Sequence, residues 1–178
     1  MTRYGMLIDT RRCVGCYACR VACQTRHALE PHEAYIKFHN LERGTFPHVA
    51  AEAVPTQCMH CEDAPCQRVC PTGATYTTDE GIVLVNQERC IGCKYCVEAC
   101  PYDARVVAES GVAEKCRFCA DADGRQTTLP ACVSTCLTGA RIFGDLDDPD
   151  SEISKAIVER NAKPIAGDLT AAKIYYVR

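Results

Sequence analysis

The chain has 178 residues, enough for one ordinary domain or two small ones, and 16 of them are cysteine. Its formal net charge is −3 and it has no basic patch, which argues against nucleic-acid binding. No apolar run approaches the roughly 18 residues of a membrane-spanning helix, and the N-terminus lacks the apolar segment of a signal peptide, so we expect neither.

The cysteines are spaced for metal binding rather than for disulfide formation. An even number fits disulfides as well, but repeated Cys-x₂-Cys steps are a chelating pattern, which needs reduced thiols until the metal is inserted. The apolar fraction of 47% counts these cysteines, while tryptophan is absent and only four phenylalanines occur. We therefore expect the metal groups to form the core and the metal-free chain to be poorly folded.

Residues 3–9 are predicted to form a short strand that leads into the first of four cysteine runs. The spacing of this run, Cys-x₂-Cys-x₂-Cys-x₃-Cys, is that of bacterial ferredoxins, in which it binds a [4Fe–4S] cluster. No proline follows its last cysteine, so the helix that starts near Tyr17 is predicted to continue to about His27. Run one consists of Cys13, Cys16, Cys19 and Cys23.

Residues 24–57 form the longest cysteine-free gap between runs and hold four of the five histidines, without metal-ligand spacing between them. We interpret these histidines as surface residues, and the segment as an insertion that offers a candidate docking surface. Residues 35–39 alternate like a half-exposed strand, and residues 43–45 are predicted to turn the chain back into a strand over 46–54.

Run two has a wider loop, Cys-x₂-Cys-x₄-Cys-x₃-Cys-Pro, and run three repeats the spacing of run one with a proline after its last cysteine. His60 lies between two cysteines of run two, where hydrogen bonding to a cluster sulfur and a bystander role are equally compatible with the sequence. Run two consists of Cys58, Cys61, Cys66 and Cys70, and run three of Cys90, Cys93, Cys96 and Cys100.

Turn-forming residues at 79–81 and 109–111 predict two hairpins, one before run three and one before run four. Run four has a long polar loop before its third cysteine and consists of Cys116, Cys119, Cys132 and Cys136. The last cysteine begins a repeated Cys-x-Thr-Gly-Ala in runs two and four, with a weaker copy in run three, and a strand is predicted after each. A helix over 151–160 and a strand over 174–177 are predicted to close the chain.

In two-cluster ferredoxins the fourth cysteine of a run binds the cluster of the partner run, which predicts how the cysteines group. Runs two and three share the Cys-Pro ending and are predicted to pair, which leaves runs one and four as the other pair. The inner pair gives Cys58, Cys61, Cys66 with Cys100, and Cys90, Cys93, Cys96 with Cys70. The outer pair gives Cys13, Cys16, Cys19 with Cys136, and Cys116, Cys119, Cys132 with Cys23. Every cysteine is then a ligand, and we predict no catalytic residue.

Structural zinc is the alternative, because paired Cys-x₂-Cys knuckles commonly bind it. A zinc site closes with two such pairs and has no use for a third cysteine at the same spacing, so the runs favour iron–sulfur clusters. Basic residues beside the cysteines are either ordinary solvated charges or partners of the negative clusters; they are Arg20, Arg68, Arg89, Lys94, Lys115 and Arg117.

The four runs in this order resemble the four-cluster iron–sulfur subunits of the DMSO reductase family, most of all those of polysulfide and thiosulfate reductases. The resemblance is carried by Cys-Met-His-Cys-Glu-Asp-Ala-Pro-Cys, Cys-Pro-Thr-Gly-Ala, Cys-Pro-Tyr-Asp-Ala-Arg and Phe-Gly-Asp-Leu-Asp-Asp-Pro. It implies an electron-transfer subunit with four [4Fe–4S] clusters, placed between a molybdopterin-containing catalytic subunit and an integral membrane quinone-reactive subunit of a respiratory oxidoreductase. It also implies a periplasmic location, reached by export with a partner that carries a twin-arginine signal.

Two other interpretations stay open at the level of sequence: a cytoplasmic polyferredoxin-type carrier for a formate dehydrogenase or hydrogenase, and a zinc-binding interaction module. The predicted fold class is α+β, with two pseudo-symmetric ferredoxin-like units that each hold two [4Fe–4S] clusters. The outer unit combines residues 1–23 with 116–143, an insertion covers 24–57, the inner unit is 58–115, and a C-terminal extension covers 144–178.

Overall fold

A computed structural model describes residues 2–178 as short strands and helices, in agreement with the α+β prediction. The strands are β1 (Tyr4–Asp9), β2 (Lys37–Thr45), β3 (His48–Thr56), β4 (Thr75–Thr77), β5 (Val83–Val85), β6 (Val106–Val107), β7 (Ala113–Glu114), β8 (Arg141–Asp145), β9 (Lys163–Pro164) and β10 (Ile174–Val177). The helices are α1 (Ala18–His27), α2 (Pro65–Arg68), α3 (Tyr95–Glu98), α4 (Ala131–Ser134) and α5 (Glu152–Glu159).

The largest sheet joins the two ends of the chain. Its strand order is β8-β1-β10-β9, in which β1 pairs antiparallel with β8 and parallel with β10. Met6, Leu7 and Ile8 of β1 are fully buried, and because successive strand residues point to opposite faces, the sheet is covered on both sides. The segment predicted as a C-terminal extension therefore contributes an inner strand of the main sheet.

Helix α5 covers one face of this sheet. Ser151 caps the helix, since its side chain accepts a hydrogen bond from the backbone N–H of Ser154 at 3.2 Å. Ile153 and Ala156 pack with Leu7 in a small core of their own. The predicted C-terminal helix is thus confirmed.

The hairpin of β2 and β3 confirms the two predicted strands of the insertion but shows that the predicted turn was wrong. The register pairs Thr45 with His48, so residues 43–45 lie in a strand and the turn falls at Phe46 and Pro47. A Cβ on Gly44 would collide with the His48 carbonyl oxygen of the facing strand. That glycine therefore permits close strand pairing and does not form the turn.

Three of the four cysteine runs contain a helix of only four residues. These helices include the third cysteine of their run, Cys66, Cys96 or Cys132, and end before the fourth. A proline follows the fourth cysteine in runs two and three, but α4 ends at the same point with Leu137 in that position. Termination therefore does not require the proline. A backbone turn accompanies the end of the helix, in which the Cys136 N–H donates a hydrogen bond of 3.1 Å to a backbone carbonyl of α4.

The other predicted elements are also present. Helix α1 continues to His27, the two small hairpins turn at 79–81 and 109–111, and β8 follows run four. The hairpin of β6 and β7 is shorter than predicted, with two residues in each strand. Among the described residues, no helix combines the length and the hydrophobicity that crossing a membrane requires.

The main core is built around cysteine side chains and two stacked rings. Phe118 and His60 are fully buried, and their ring centroids lie 3.7 Å apart. Phe118 also meets Phe143 edge-on, at a centroid distance of 5.1 Å. The buried cysteines of this core are Cys19, Cys23, Cys58, Cys61, Cys66, Cys96, Cys116 and Cys132. The core thus depends on thiols where a protein of this size ordinarily uses aliphatic side chains.

We expect Phe118→Ala to lower the free energy of unfolding by about 3–5 kcal/mol, because it removes a fully buried ring that two other rings contact. Phe46 offers a matched control, since it is 92% exposed at the tip of the β2–β3 hairpin. Phe46→Ala should change the free energy by less than about 0.5 kcal/mol. Urea denaturation followed by circular dichroism measures both, and equal effects of the two substitutions would contradict this account of the core.

Candidate metal-cluster sites

Three cavities of similar size are each lined by one of the predicted sets of four cysteines. The Cys13 set consists of Cys13, Cys16, Cys19 and Cys136, the Cys58 set of Cys58, Cys61, Cys66 and Cys100, and the Cys90 set of Cys90, Cys93, Cys96 and Cys70. In each cavity three cysteines come from one run and the fourth comes from its predicted partner run. Ligation by these sets stays a prediction.

The fourth predicted set, the Cys116 set, lies in the interior and consists of Cys116, Cys119, Cys132 and Cys23. Burial, and then the neighbouring Cys132 and Cys119, raises the pKa of the Cys23 thiol to about 12. Burial, and then the neighbouring Cys23 and Cys132, also raises the pKa of Cys116. His27 Nε2 lies 3.3 Å from the sulfur of Cys119. The four thiols are therefore neighbours, and at neutral pH a bound metal must displace the proton of Cys23.

The repeated Cys-x-Thr-Gly-Ala places hydrogen-bond donors around the fourth cysteine. The Cys70 sulfur accepts a hydrogen bond from the Thr75 backbone N–H at 3.5 Å and lies 3.7 Å from the Thr72 hydroxyl. Burial acts against the anion, but these hydrogen bonds outweigh it and lower the pKa of Cys70 to about 7. Cys136 lies 3.8 Å from the Thr138 hydroxyl, and its pKa is likewise lowered by hydrogen bonds that outweigh burial. The repeat therefore stabilises a thiolate at this position.

Two of the sets reach the surface. Cys16 of the Cys13 set and Cys93 of the Cys90 set are exposed, whereas all members of the Cys116 set are buried. Apolar side chains surround the exposed cysteines: Val14 and Leu137 are 69% and 86% exposed beside the first, and Ile91 is 68% exposed beside the second. The Cys13 and Cys90 sets are thus the ones that a partner protein can approach.

The residue before the second cysteine of each run has a positive φ angle. It is glycine in runs one and three, where Gly15 and Gly92 have φ angles of 65° and 68° that cost glycine little. In runs two and four it is His60 and Phe118, with φ angles of 45° and 53°. These are the two residues whose rings stack in the core. Their strained backbone persists because the stack and its surroundings hold both rings in place.

His60 carries a ring N–H that has no acceptor within residues 2–178. Its Nδ1 accepts a hydrogen bond from the Val83 N–H at 3.2 Å, which puts the ring proton on Nε2, and that atom is buried. Burial, and then nearby cations, keeps the pKa of His60 well below its usual value, so the ring is neutral. Both roles that the sequence left open fit this geometry: a buried donor that bonds to a cluster sulfur, and a ring held by its stacking on Phe118.

Two buried arginines belong to the site, although their sequence context does not place them beside a cysteine. Arg105 is 3% exposed, and none of its side-chain nitrogens has a hydrogen-bond partner in residues 2–178. Arg141 is 4% exposed; its Nη1 donates to Gln57 Oε1 at 2.7 Å, while its Nη2 has no partner in the same range. A signal was present in the sequence, because each arginine stands five residues after the last cysteine of its run.

Three of the basic residues directly beside the cysteines, Arg68, Lys115 and Arg117, have ordinary contacts. Arg68 forms an exposed ion pair with Asp63 at 2.9 Å. Lys115 is buried but donates to a backbone carbonyl, that of Cys116, at 2.7 Å. Arg117 donates to two further backbone carbonyls. These contacts favour structural and solvated roles for them, and leave Arg105 and Arg141 as buried arginines without carboxylate partners among residues 2–178.

The donor sets fit [4Fe–4S] clusters. A buried guanidinium group is costly without a nearby anion, and an iron–sulfur cluster with four thiolates is anionic. Thiolates are the ligands that such clusters use, and each predicted set supplies four of them. In residues 2–178, no group of three or more His, Cys, Asp or Glu side chains is arranged to hold a single metal ion. In three of the four sets the thiols instead surround a space, as ligands of a multinuclear cluster do.

Comparison with known proteins identifies the family. A family model described as "4Fe-4S dicluster domain" matches residues 49–146, and a second model with the same description matches residues 8–74. A putative iron–sulfur subunit of the dimethyl sulfoxide reductase of Halobacterium salinarum is 39% identical over 99% of this chain and 79% of that protein. One subunit of the tetrathionate reductase of Salmonella typhimurium is 44% identical over 85% of this chain, which spans 62% of that protein.

One subunit of the sulfite dehydrogenase of Allochromatium vinosum is also similar, with 42% identity over 90% of this chain and 76% of that protein. The similarity to the Halobacterium salinarum relative covers 99% of the chain and therefore all four cysteine runs, and the dicluster models together cover the runs as well. The chain therefore binds [4Fe–4S] clusters and belongs to the iron–sulfur subunits of the DMSO reductase family.

Proposed function

We propose that the chain is an electron-transfer subunit with four [4Fe–4S] clusters, one held by each set of four cysteines. The observation that carries this proposal is the grouping of the sixteen cysteines, in which three sets line three similar cavities and the fourth set is clustered in the interior. When bound, each cluster supplies one-electron redox chemistry. The residues of the chain hold the clusters and set their surroundings, and every cysteine is assigned to that task.

The proposed units follow from the same grouping. Residues 1–23 with 116–143 form the outer unit and residues 58–115 form the inner unit, each with two clusters. Residues 24–57 and 144–178 are additions to these units, and the second contributes β10 to the main sheet. The hairpin inside the first addition is largely exposed and is proposed as a docking surface.

The cysteine sets lie in a definite order, which supports a relay. Arg141 lies near Cys19 and Cys132 and so links the Cys13 set to the Cys116 set. Cys116 lies close enough to Cys58 for their charges to interact, which links the two buried regions. Cys66 and Cys96 in turn link the Cys58 set to the Cys90 set. These neighbours support a relay in the order Cys13, Cys116, Cys58 and Cys90 sets, with an exposed cysteine at each end.

We further propose two protein partners, one beside the Cys13 set and one beside the Cys90 set, which each have an exposed cysteine. Several relatives are named as subunits of reductases for dimethyl sulfoxide, tetrathionate or thiosulfate, which supports a molybdopterin-containing catalytic subunit as one partner. An integral membrane quinone-reactive subunit is the other proposed partner. We propose that the complex is membrane-associated at the periplasmic face, which the chain reaches by export together with a partner that carries a twin-arginine signal.

Metal analysis of the purified chain tests the number of clusters. We expect about 16 iron atoms and about 16 sulfide ions per chain, because four clusters each contain four of both. Anaerobic purification followed by colorimetric iron and sulfide assays gives these numbers. Zinc without sulfide would replace the proposal by a zinc-binding interaction module, and a content of about 8 iron atoms would reduce it to one dicluster unit.

Capture of the assembled complex tests the proposed partners. An affinity tag on this chain should recover molybdenum and pterin together with iron, and a membrane protein should be present after solubilisation in mild detergent. A quinol should then reduce the clusters of the complex, as followed by their visible absorbance. An iron-loaded chain that is recovered from the cytoplasm without molybdenum would instead support a polyferredoxin-type carrier.

A further inference from the structure

Each pair of cysteine sets contains one buried arginine at the same place. Arg105 follows Cys100, the last cysteine of run three, by five residues, and Arg141 follows Cys136 of run four by the same interval. The corresponding positions after runs two and one are occupied by uncharged residues, Thr75 and Ala28. Each proposed unit thus has one arginine where its internal repeat would allow two.

The arginines lie between sets and do not belong to one set alone. Arg105 lines the cavity of the Cys58 set, and the titratable groups that interact most strongly with its charge are Cys66 and Cys96, the third cysteines of runs two and three. Cys96 lines the cavity of the Cys90 set. The guanidinium group of Arg105 is therefore next to a ligand of each of the two sets in the inner unit.

Arg141 has the corresponding position in the outer unit. It lines the cavity of the Cys13 set, and the titratable groups that interact most strongly with its charge are Cys132 and Cys19, the third cysteines of runs four and one. It differs from Arg105 in that Gln57 holds its Nη1 at 2.7 Å. Both side chains are buried, and no carboxylate forms an ion pair with either of them within residues 2–178.

We propose that the guanidinium groups of Arg105 and Arg141 raise the reduction potential of both clusters in their own unit. The inference rests on the proposed four-cluster function and deepens it. A fixed cation in a medium of low dielectric constant stabilises the reduced, more negative form of a nearby cluster. Because each guanidinium group lies between two sets, it acts on two clusters at once and raises both potentials together.

The test is a redox titration of the cluster-loaded full-length chain, with dithionite as the reductant and electron paramagnetic resonance as the readout. Arg105→Met should lower two of the four midpoint potentials, and Arg141→Met should lower the other two. The double variant should lower all four by the sum of the single effects. Arg105→Lys and Arg141→Lys keep the charge and should give smaller shifts than the methionine variants.

Each arginine is the matched control for the other, so the signals need no prior assignment to particular cysteines. Unchanged potentials in Arg105→Met at full iron content would overturn the proposal, and so would a shift of the same two clusters by both variants. Loss of iron from both Arg105→Met and Arg105→Gln would also overturn it, since the arginine would then be required for assembly. Failure of the four-cluster function would appear separately, as a low iron content in the unsubstituted chain.

Discussion

Replacing Cys100 with alanine is expected to remove the cluster that Cys58, Cys61 and Cys66 hold, and to leave the cluster of the Cys90 set in place. Cys100 belongs to run three by sequence, but it lines the cavity of the Cys58 set. Loss of one thiolate of four opens the cluster, so conversion to a three-iron form or complete loss follows. Iron analysis should fall by about one to four atoms from about 16, and electron paramagnetic resonance should show the change in one cluster only.

The reciprocal control is Cys70→Ala, which should damage the cluster of Cys90, Cys93 and Cys96 because Cys70 lines that cavity. Assignment uses a third variant, Cys61→Ala, whose spectrum should match that of Cys100→Ala. If the spectrum of Cys100→Ala instead matched that of Cys93→Ala, each run would hold its own cluster. The exchange of fourth cysteines between runs would then be wrong.

Removal of iron and sulfide is expected to abolish cooperative unfolding. Eight of the main-core residues are buried cysteines, and two arginines are buried among the thiols without a carboxylate partner in the described residues. Without the anionic clusters, these guanidinium groups either stay buried unpaired or move to water, and both changes disrupt the packing. Thermal unfolding by circular dichroism should show a sharp transition for the loaded protein and a gradual change for the chelated one.

Amide hydrogen exchange locates this effect in the chain. Protection should be lost in β4, β5 and the short helices, which pack on the cysteine loops, and it should return after reconstitution with iron and sulfide. The small core of Leu7, Ile153 and Ala156 contains no cysteine, so α5 should lose the least protection. A chelated chain that kept full protection in β4 and β5 would show that the clusters are not the core.

Much of the site was predictable because cysteine spacing is a local code. Runs of Cys-x₂-Cys-x₂-Cys-x₃-Cys specify the cluster type, and the exchange rule of two-cluster ferredoxins groups the cysteines as the cavities do. The strands and helices beside the runs were also predictable, since turn residues and strand patterns are local. The hairpin turn was missed because Gly44 was interpreted as a turn former, while the close approach of two strands explains it.

Arg105 and Arg141 were missed for a different reason. In the sequence they stand at the start of predicted strands, whereas a charge partner of a cluster was expected among the basic residues directly beside cysteines. Distance along the chain does not measure distance to a cluster, because the chain turns after the fourth cysteine and brings its fifth following residue back between two sets. The surroundings of His60 were not predictable either, because its hydrogen bond from Val83 and the burial of its Nε2 depend on residues distant in sequence.

Anomalous diffraction at the iron absorption edge tests the central claim most directly, on crystals of the loaded chain or of its complex. The account predicts four iron-rich centres, one in each set, in the order Cys13, Cys116, Cys58 and Cys90 sets, with the Cys13 and Cys90 centres nearest the surface. Fewer than four centres, or a centre ligated by all four cysteines of one run, would contradict it.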